Sequence, residues 1–270
     1  MVLSDLQRQI CRLLAGRRIS AGESYLAGGS ALNELLGTSR LSRDLDLFHD
    51  TESAVNAAFA LDRDLLQAAG FELRPIRDWR GFIEVEAARG SDRARIEWTR
   101  DSSYRFFPLL EHAELGLVLH PFDLATNKVL ALVGRLEVRD WVDVIECDRR
   151  LQPFGYLAWA ACGKDPGFGP SMLVEHASRN GRYSKAELDS LSFESESPDA
   201  ADLSRSWHRL IAEGRKIVEQ LPAEAVGCAV LDGRGELCRL ESSALSAPRL
   251  AELRFHPGRI GGALPTVLPG

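Results

Sequence analysis

The sequence lacks any long hydrophobic run. No stretch approaches the ~18 uncharged residues needed to span a bilayer. The N-terminus is amphipathic, with Leu6, Ile10, Leu13 and Leu14 at helical spacing, and has no apolar signal-peptide segment. These absences predict a soluble, cytoplasmic protein with no membrane partner. Cysteine is sparse and unpatterned: Cys11, Cys147, Cys162, Cys228 and Cys238 include no C-x-x-C pair, which argues against a zinc or redox motif. Cys228 and Cys238 could meet across a hairpin, but buried free thiols are the better account. The six histidines show no metal-ligand spacing, and His49 reads as a boundary residue rather than a ligand. No Gly-x-Ser-x-Gly or Cys/His pair suggests a hydrolase. Excess positive charge is also missing. With 33 basic and 39 acidic residues the net charge is −6, which excludes nucleic-acid binding through bulk charge but not through a local basic pocket.

The 270 residues, 45% of them hydrophobic, suffice for about two domains and for a core without disulfide or metal staples. A helix is expected from about Ser4 to Leu14, then a short strand at Tyr25-Leu26-Ala27 ending in Gly28-Gly29. Ser30 looks like the cap of a helix from Ala31 to Leu36, closed by Gly37. Asp44-Leu45-Asp46-Leu47-Phe48 alternates acid and apolar, the period of a strand with one buried face. A helix over 51–69, strands at Phe82–Ala87 and Ala94–Thr99, and helices at Pro121–Val133 and Arg139–Leu151 follow. Residues 171–220 read as helical around a Ser/Glu-rich loop at 190–200. An apolar hairpin turns at Asp232-Gly233, and the last dozen residues read as a loose tail.

One constellation carries chemistry. A strand ending in Gly28-Gly29 lets the backbone approach a ligand closely. The helix beginning at Ser30 offers unpaired N–H groups and a positive dipole end, a seat for phosphate. The next strand places Asp44 and Asp46 on one face, and adjacent carboxylates repel unless a cation neutralises them. Hard oxygen donors beside a phosphate seat suit Mg²⁺. Either half alone is commonly a plain turn or a solvated strand face. Joined by one short helix they fit phosphoryl or nucleotidyl transfer, whose transition state spreads charge over non-bridging oxygens.

Here the sequence resembles the nucleotidyltransferase superfamily that includes DNA polymerase β, and within it the AbiEii-type abortive-infection toxins. The matching residues are Gly28-Gly29-Ser30-Ala31-Leu32, Ser42-Arg43-Asp44-Leu45-Asp46-Leu47-Phe48, and Lys128-Val129-Leu130-Ala131-Leu132 with Arg135 and Arg139-Asp140-Trp141-Val142-Asp143. The resemblance covers roughly residues 20–150. It implies transfer of a nucleoside monophosphate from an NTP with Mg²⁺ (or Mn²⁺) held by Asp44 and Asp46. It also implies triphosphate contacts from Gly28, Gly29, Ser30 and Lys128. It further implies a cognate antitoxin as partner and tRNA as acceptor, against a small molecule or a protein side chain. A non-catalytic nucleotide-binding relative is the rival class.

Several assignments stay open on the sequence alone. Lys128, in a chain with only Lys164, Lys185 and Lys216 besides, is a phosphate contact or a lysine snorkelling at a helix edge. Asp140 and Asp143 share a helical face as partners of Lys128 or as acids favoured near a helix start. Arg135 and Arg139 serve the nucleotide or a domain interface. Glu97 is the candidate third carboxylate and general base, with Glu84 and Glu86 competing, against a cross-strand ion pair. Arg17, Arg18, Arg40 and Arg43 are candidates for a basic RNA groove. Core packing accounts for Trp79, Trp98 and Trp141 better than a stacking surface does.

The expected architecture is α/β (α+β): a polymerase β-like nucleotidyltransferase core with a mixed sheet at 1–115, a mainly helical domain carrying Lys128 at 116–222, and a β-hairpin with tail at 223–270.

Overall fold

The computed structural model describes residues 3–180 and 183–265. The helices are α1 (Asp5–Ala21), α2 (Gly28–Leu36), α3 (Glu52–Ala68), α4 (Pro121–Arg135), α5 (Val138–Arg150), α6 (Phe154–Ala161), α7 (Pro170–Asn180), α8 (Lys185–Asp189), α9 (Ala200–Gln220) and α10 (Ala247–Glu252). The strands are β1 (Ser24–Ala27), β2 (Asp44–His49), β3 (Glu72–Trp79), β4 (Phe82–Arg89), β5 (Asp92–Arg100), β6 (Tyr104–Arg105), β7 (Leu110–His112), β8 (Gly116–Val118), β9 (Cys228–Leu231), β10 (Arg254–Pro257) and β11 (Arg259–Ile260). Among the described residues no helix is long and apolar enough to cross a membrane. The chain forms two compact units: the residues up to Ser103 with Leu109–His120, and Tyr104–Pro108 with the residues from Pro121 on.

The first unit is a mixed seven-stranded sheet in the order β3-β4-β5-β2-β1-β8-β7. β1 and β2 are antiparallel, while β2–β5 and β1–β8 are parallel. The expected alternation in β2 holds: Leu45, Leu47 and His49 are buried, and Asp44, Asp46 and Phe48 lie on the other side. On β5 the buried positions are Ala94, Ile96 and Trp98. That apolar face is covered by α1 and α3. Period-two patterning thus puts the acids on the opposite face as soon as the leucines are buried.

α1 begins at a capping box. Ser4 accepts from Gln7 N, and the Gln7 side chain reaches back to Ser4 N. The Gln7 amide also donates to Ser42 O at 3.0 Å, tying the approach to β2 to this helix. α1 runs about two turns beyond the expected Leu14, to Ala21. The reason is that Arg17 and Arg18 continue it inward. Arg18 is fully buried and donates to Leu117 O at 2.9 Å, and Arg17 Nε bonds Asp62 on α3 at 2.8 Å. Asp62 also accepts from Trp98 Nε1 at 2.8 Å, while the Trp98 ring packs edge-on to Phe59, 5.1 Å between centroids. His49 is buried beside Thr99 O. Burial pushes its imidazole down to about 4, so it is neutral at pH 7.

In the second unit, α6 is buried on every side, as expected of a helix apolar all round, and packs against α4, α7 and α9. Asp123 on α4 explains why Tyr104–Pro108 belongs here. Its carboxylate accepts from Phe106 N and Phe107 N at 2.9 and 3.1 Å and pairs with Lys164 at 2.9 Å. The chain does reverse at Asp232-Gly233, with Gly235 N bonded to Asp232 O. The expected hairpin is nevertheless a single bridge, Leu231↔Leu237; the ladder partner of β9 is β10. Val230 O accepts from both Cys238 N and the Gln152 side chain, which also donates to Cys238 O. Cys228 and Cys238 are both free thiols. Of the expected loose tail, Arg259–Ile260 pair with β6 and Ala263 N bonds Phe106 O, while 266–270 lie outside the described residues.

Asp62 is the buried acid on which two elements converge. Asp62→Ala should cost about 3 kcal/mol or more in urea unfolding, because it strands Arg17 and the Trp98 N–H in the interior. Trp98→Phe should cost less, because it removes one hydrogen bond and only part of the ring. The reverse order of the two losses would contradict this account.

Candidate active site

The open face of the sheet brings four acids together by register. Asp46 stands opposite Glu97, and Glu97 opposite Glu84, so three carboxylates line up across β2, β5 and β4. Asp44, one pleat away, stands opposite Arg95. Arg95 lies 3.2 Å from one Glu84 oxygen and 3.9 Å from Asp44, and Arg77 lies 3.4 Å from the other Glu84 oxygen. Glu84, buried and flanked by two arginines, is therefore an ion-pair partner. Glu97 is the acid that faces Asp46. Burial pushes its carboxyl up to about 7, reinforced by the charges of Asp46, Asp44 and Glu84 and opposed by Arg95.

The glycines enforce the approach to this row. Ala27 pairs with Asp46 across β1–β2, and Gly28 follows with φ +65°. A Cβ on Gly28 would lie 1.7 Å from Asp46 Oδ2, so the carboxylate packs directly on the start of α2. A Cβ on Gly29 would meet the Arg40 guanidinium at 2.6 Å. Buried Arg40 thus occupies space that only glycine leaves. Ser30 is not the helix cap expected of it. The helix begins three residues earlier than expected, at Gly28 with Ala27 at the cap position, and Ser30 Oγ points back to Ala27 O at 3.4 Å. Gly28 at the first helical position allows the extra turn, because it tolerates positive φ.

Arg17 and Arg18 serve the core and line no groove. Trp98 and Trp141 are buried as expected, but Trp79 is 64% exposed.

In the second unit Lys128 lies between Asp140 and Asp143, at 2.8 and 3.0 Å, joining α4 to α5. Arg135 closes the cluster with two bonds to Asp140, at 2.7 and 3.0 Å. Burial alone would raise the Asp140 carboxyl, yet Arg135 and Lys128 hold it below the ordinary range. Arg139 faces Glu137 at 2.5 Å. The sequence-based site residues thus fall into two sets: Gly28, Gly29, Ser30, Asp44, Asp46 and Glu97 in one unit, and Lys128, Arg135, Asp140 and Asp143 in the other.

The donor chemistry of the first set fits a hard divalent cation. Among the described residues no three His, Cys, Asp or Glu side chains group as a metal site on their own. A Mg²⁺ held by one or two carboxylates plus substrate phosphates does not need a third protein ligand. The acids meanwhile repel one another, which is the charge imbalance such an ion relieves.

Glu97 also sets a pH dependence. In metal-free buffer the folded state holds a proton on Glu97 up to about pH 7, whereas the unfolded chain releases it near the ordinary carboxyl value. Stability should therefore fall as pH rises between those limits. Glu97→Gln should flatten that fall and melt a few degrees higher than wild type at pH 8, about 1 kcal/mol after allowance for partial exposure. Parallel pH profiles for the two proteins would contradict the crowding of these acids.

No protein-family model matches this sequence, and no curated protein matches it significantly. Solved structures do. JHP933 from Helicobacter pylori aligns with a TM-score of 0.51 and 15% identity, covering 81% of this chain and 95% of that one. MenT4, a nucleotidyltransferase toxin from Mycobacterium tuberculosis H37Rv, aligns with a TM-score of 0.52 and 17% identity, covering 81% of this chain and 83% of that one. The mixed α/β architecture of this chain is therefore one that a nucleotidyltransferase toxin also adopts.

Proposed function

We propose that this chain is a nucleotidyltransferase that moves a nucleoside monophosphate from an NTP to an acceptor hydroxyl and releases pyrophosphate. The observation that carries the reading is the convergence of Asp44, Asp46 and Glu97 at the Gly28-Gly29 turn that opens α2. The acceptor oxygen forms a bond to the α-phosphorus as the bond to the bridging oxygen of the β-phosphate breaks, and the acceptor proton passes to Glu97. Asp44 and Asp46 are the residues that would hold Mg²⁺ or Mn²⁺, which supplies neutralising charge to the triphosphate. The first N–H groups of α2, with Arg40 at Gly29, provide donors for phosphate.

The resemblance to AbiEii-type toxins assigns Lys128 a phosphate contact. Asp140 and Asp143 then act as positioning residues, and Arg135 acts through Asp140. Arg139, opposed by Glu137, is assigned to the nucleotide by resemblance alone. The architecture shared with MenT4, a nucleotidyltransferase toxin, supports the toxin reading; the resemblance to AbiEii-type toxins adds a cognate antitoxin as partner and tRNA as acceptor, in a cytoplasmic setting.

Incubation with each α-labelled NTP, Mg²⁺ and total tRNA tests the reading. Label should reach RNA and should need the divalent ion. Asp44→Ala or Asp46→Ala should lower transfer roughly a hundredfold or more, since a metal contributes several kcal/mol to the transition state. Transfer to a small molecule or protein instead would replace the tRNA assignment. Wild-type protein that neither transfers label nor binds NTP would overturn the enzyme reading.

A further inference from the structure

Arg95 stands among the acids of the open face. On β5 it is two residues before Glu97, so both side chains share that face. Across the sheet it stands opposite Asp44 on β2 and opposite Glu86 on β4. Glu86 has other partners, Arg93 and Arg74, at 3.8 and 4.0 Å. Arg95 leans instead toward Glu84 and Asp44, with its Nε 3.2 Å from one and 3.9 Å from the other. Its charge also opposes the rise of the Glu97 carboxyl.

These contacts are ion pairs, not hydrogen bonds. A guanidinium offers five N–H donors in a planar fork. Among the described residues Arg95 spends none of them in a hydrogen bond, and its side chain is 52% exposed. The arginines that hold the fold do spend theirs: Arg18 on Leu117 O, and Arg135 twice on Asp140. Arg77, the other partner of Glu84, lies over the Trp79 ring. A loosely held fork beside two carboxylates can turn at small cost. Phosphate oxygens are the acceptors that such a fork matches in a bidentate way.

We propose that Arg95 exchanges partners during binding: it balances Asp44 and Glu84 in the free protein, then turns its guanidinium onto the triphosphate as a divalent cation takes Asp44. The inference rests on the nucleotidyl-transfer reading and adds a phosphate-binding residue to it. A bare ion has to compete with Arg95 for Asp44. An ion that arrives with a triphosphate brings Arg95 its new partner, so the site favours the two together.

Arg95→Gln separates the two roles because they carry opposite signs. Mn²⁺ alone, followed by electron paramagnetic resonance on the full chain, should bind about fivefold tighter than to wild type, the effect of removing one unit charge ~4 Å from a carboxylate in a water-exposed setting. A non-hydrolysable NTP with Mg²⁺, followed by calorimetry, should bind about tenfold more weakly, the loss of a charge-assisted contact to phosphate. Arg77→Gln removes the other arginine of Glu84 and should leave both affinities near wild type. Asp44→Asn with Asp46→Asn should lose Mn²⁺ binding. Undiminished binding there would overturn the metal site itself and the proposal with it. Where that double variant does lose Mn²⁺, unchanged affinities in Arg95→Gln, shifts of the same sign, or shifts that Arg77→Gln reproduces would overturn the role of Arg95 alone.

Discussion

Mutual repulsion among Asp44, Asp46, Glu97 and Glu84 is the constraint around which the first unit is organised. Strand register fixes these acids: once Leu45 and Leu47 on β2 and Ile96 and Trp98 on β5 are buried, Asp46 and Glu97 must stand side by side. The sheet compensates only in part. Arg95 and Arg77 take up Glu84, and Glu97 is left facing the two aspartates. An arrangement that destabilises the free protein is retained where function draws on it. A bound divalent cation is the kind of charge that offsets the imbalance.

The support lies behind the sheet. α1 and α3 are locked to it by the Arg17–Asp62–Trp98 chain of contacts and by Arg18 on Leu117 O. A charged group buried this deeply costs desolvation and tolerates no loss of its partner. The second unit uses the same device with Lys128 between Asp140 and Asp143. Each cluster fixes one helix to its neighbour, as a functional side chain requires of its surroundings.

Much of the site was legible in the sequence because its signals are local. Acid–apolar alternation over 44–48 identified β2, and Gly28-Gly29 marked the close approach. Glu97 was legible as a polar-face residue of its strand, but its opposition to Asp46 depends on which strands pair, which no local pattern encodes. Ser30 misled because a serine before an apolar run usually caps a helix, whereas Gly28 here lets the helix start earlier. Arg17 and Arg18 look in the sequence like arginines of a basic groove, because nothing local reveals that Asp62 and Leu117 O await them. β3 went unread because Pro75 and three arginines obscure its alternation. With it went the exposure of Trp79, since an aromatic residue in an unassigned segment defaults to the core.

The central claim is that Asp44, Asp46 and Glu97 form a site that takes a divalent cation together with a triphosphate. Calorimetric titration of a non-hydrolysable NTP into the full chain, with and without Mg²⁺, tests it most directly. The account predicts binding that requires the ion and is lost in Asp44→Asn with Asp46→Asn. Binding of equal strength in the absence of the ion, or undiminished in that double variant, would contradict it.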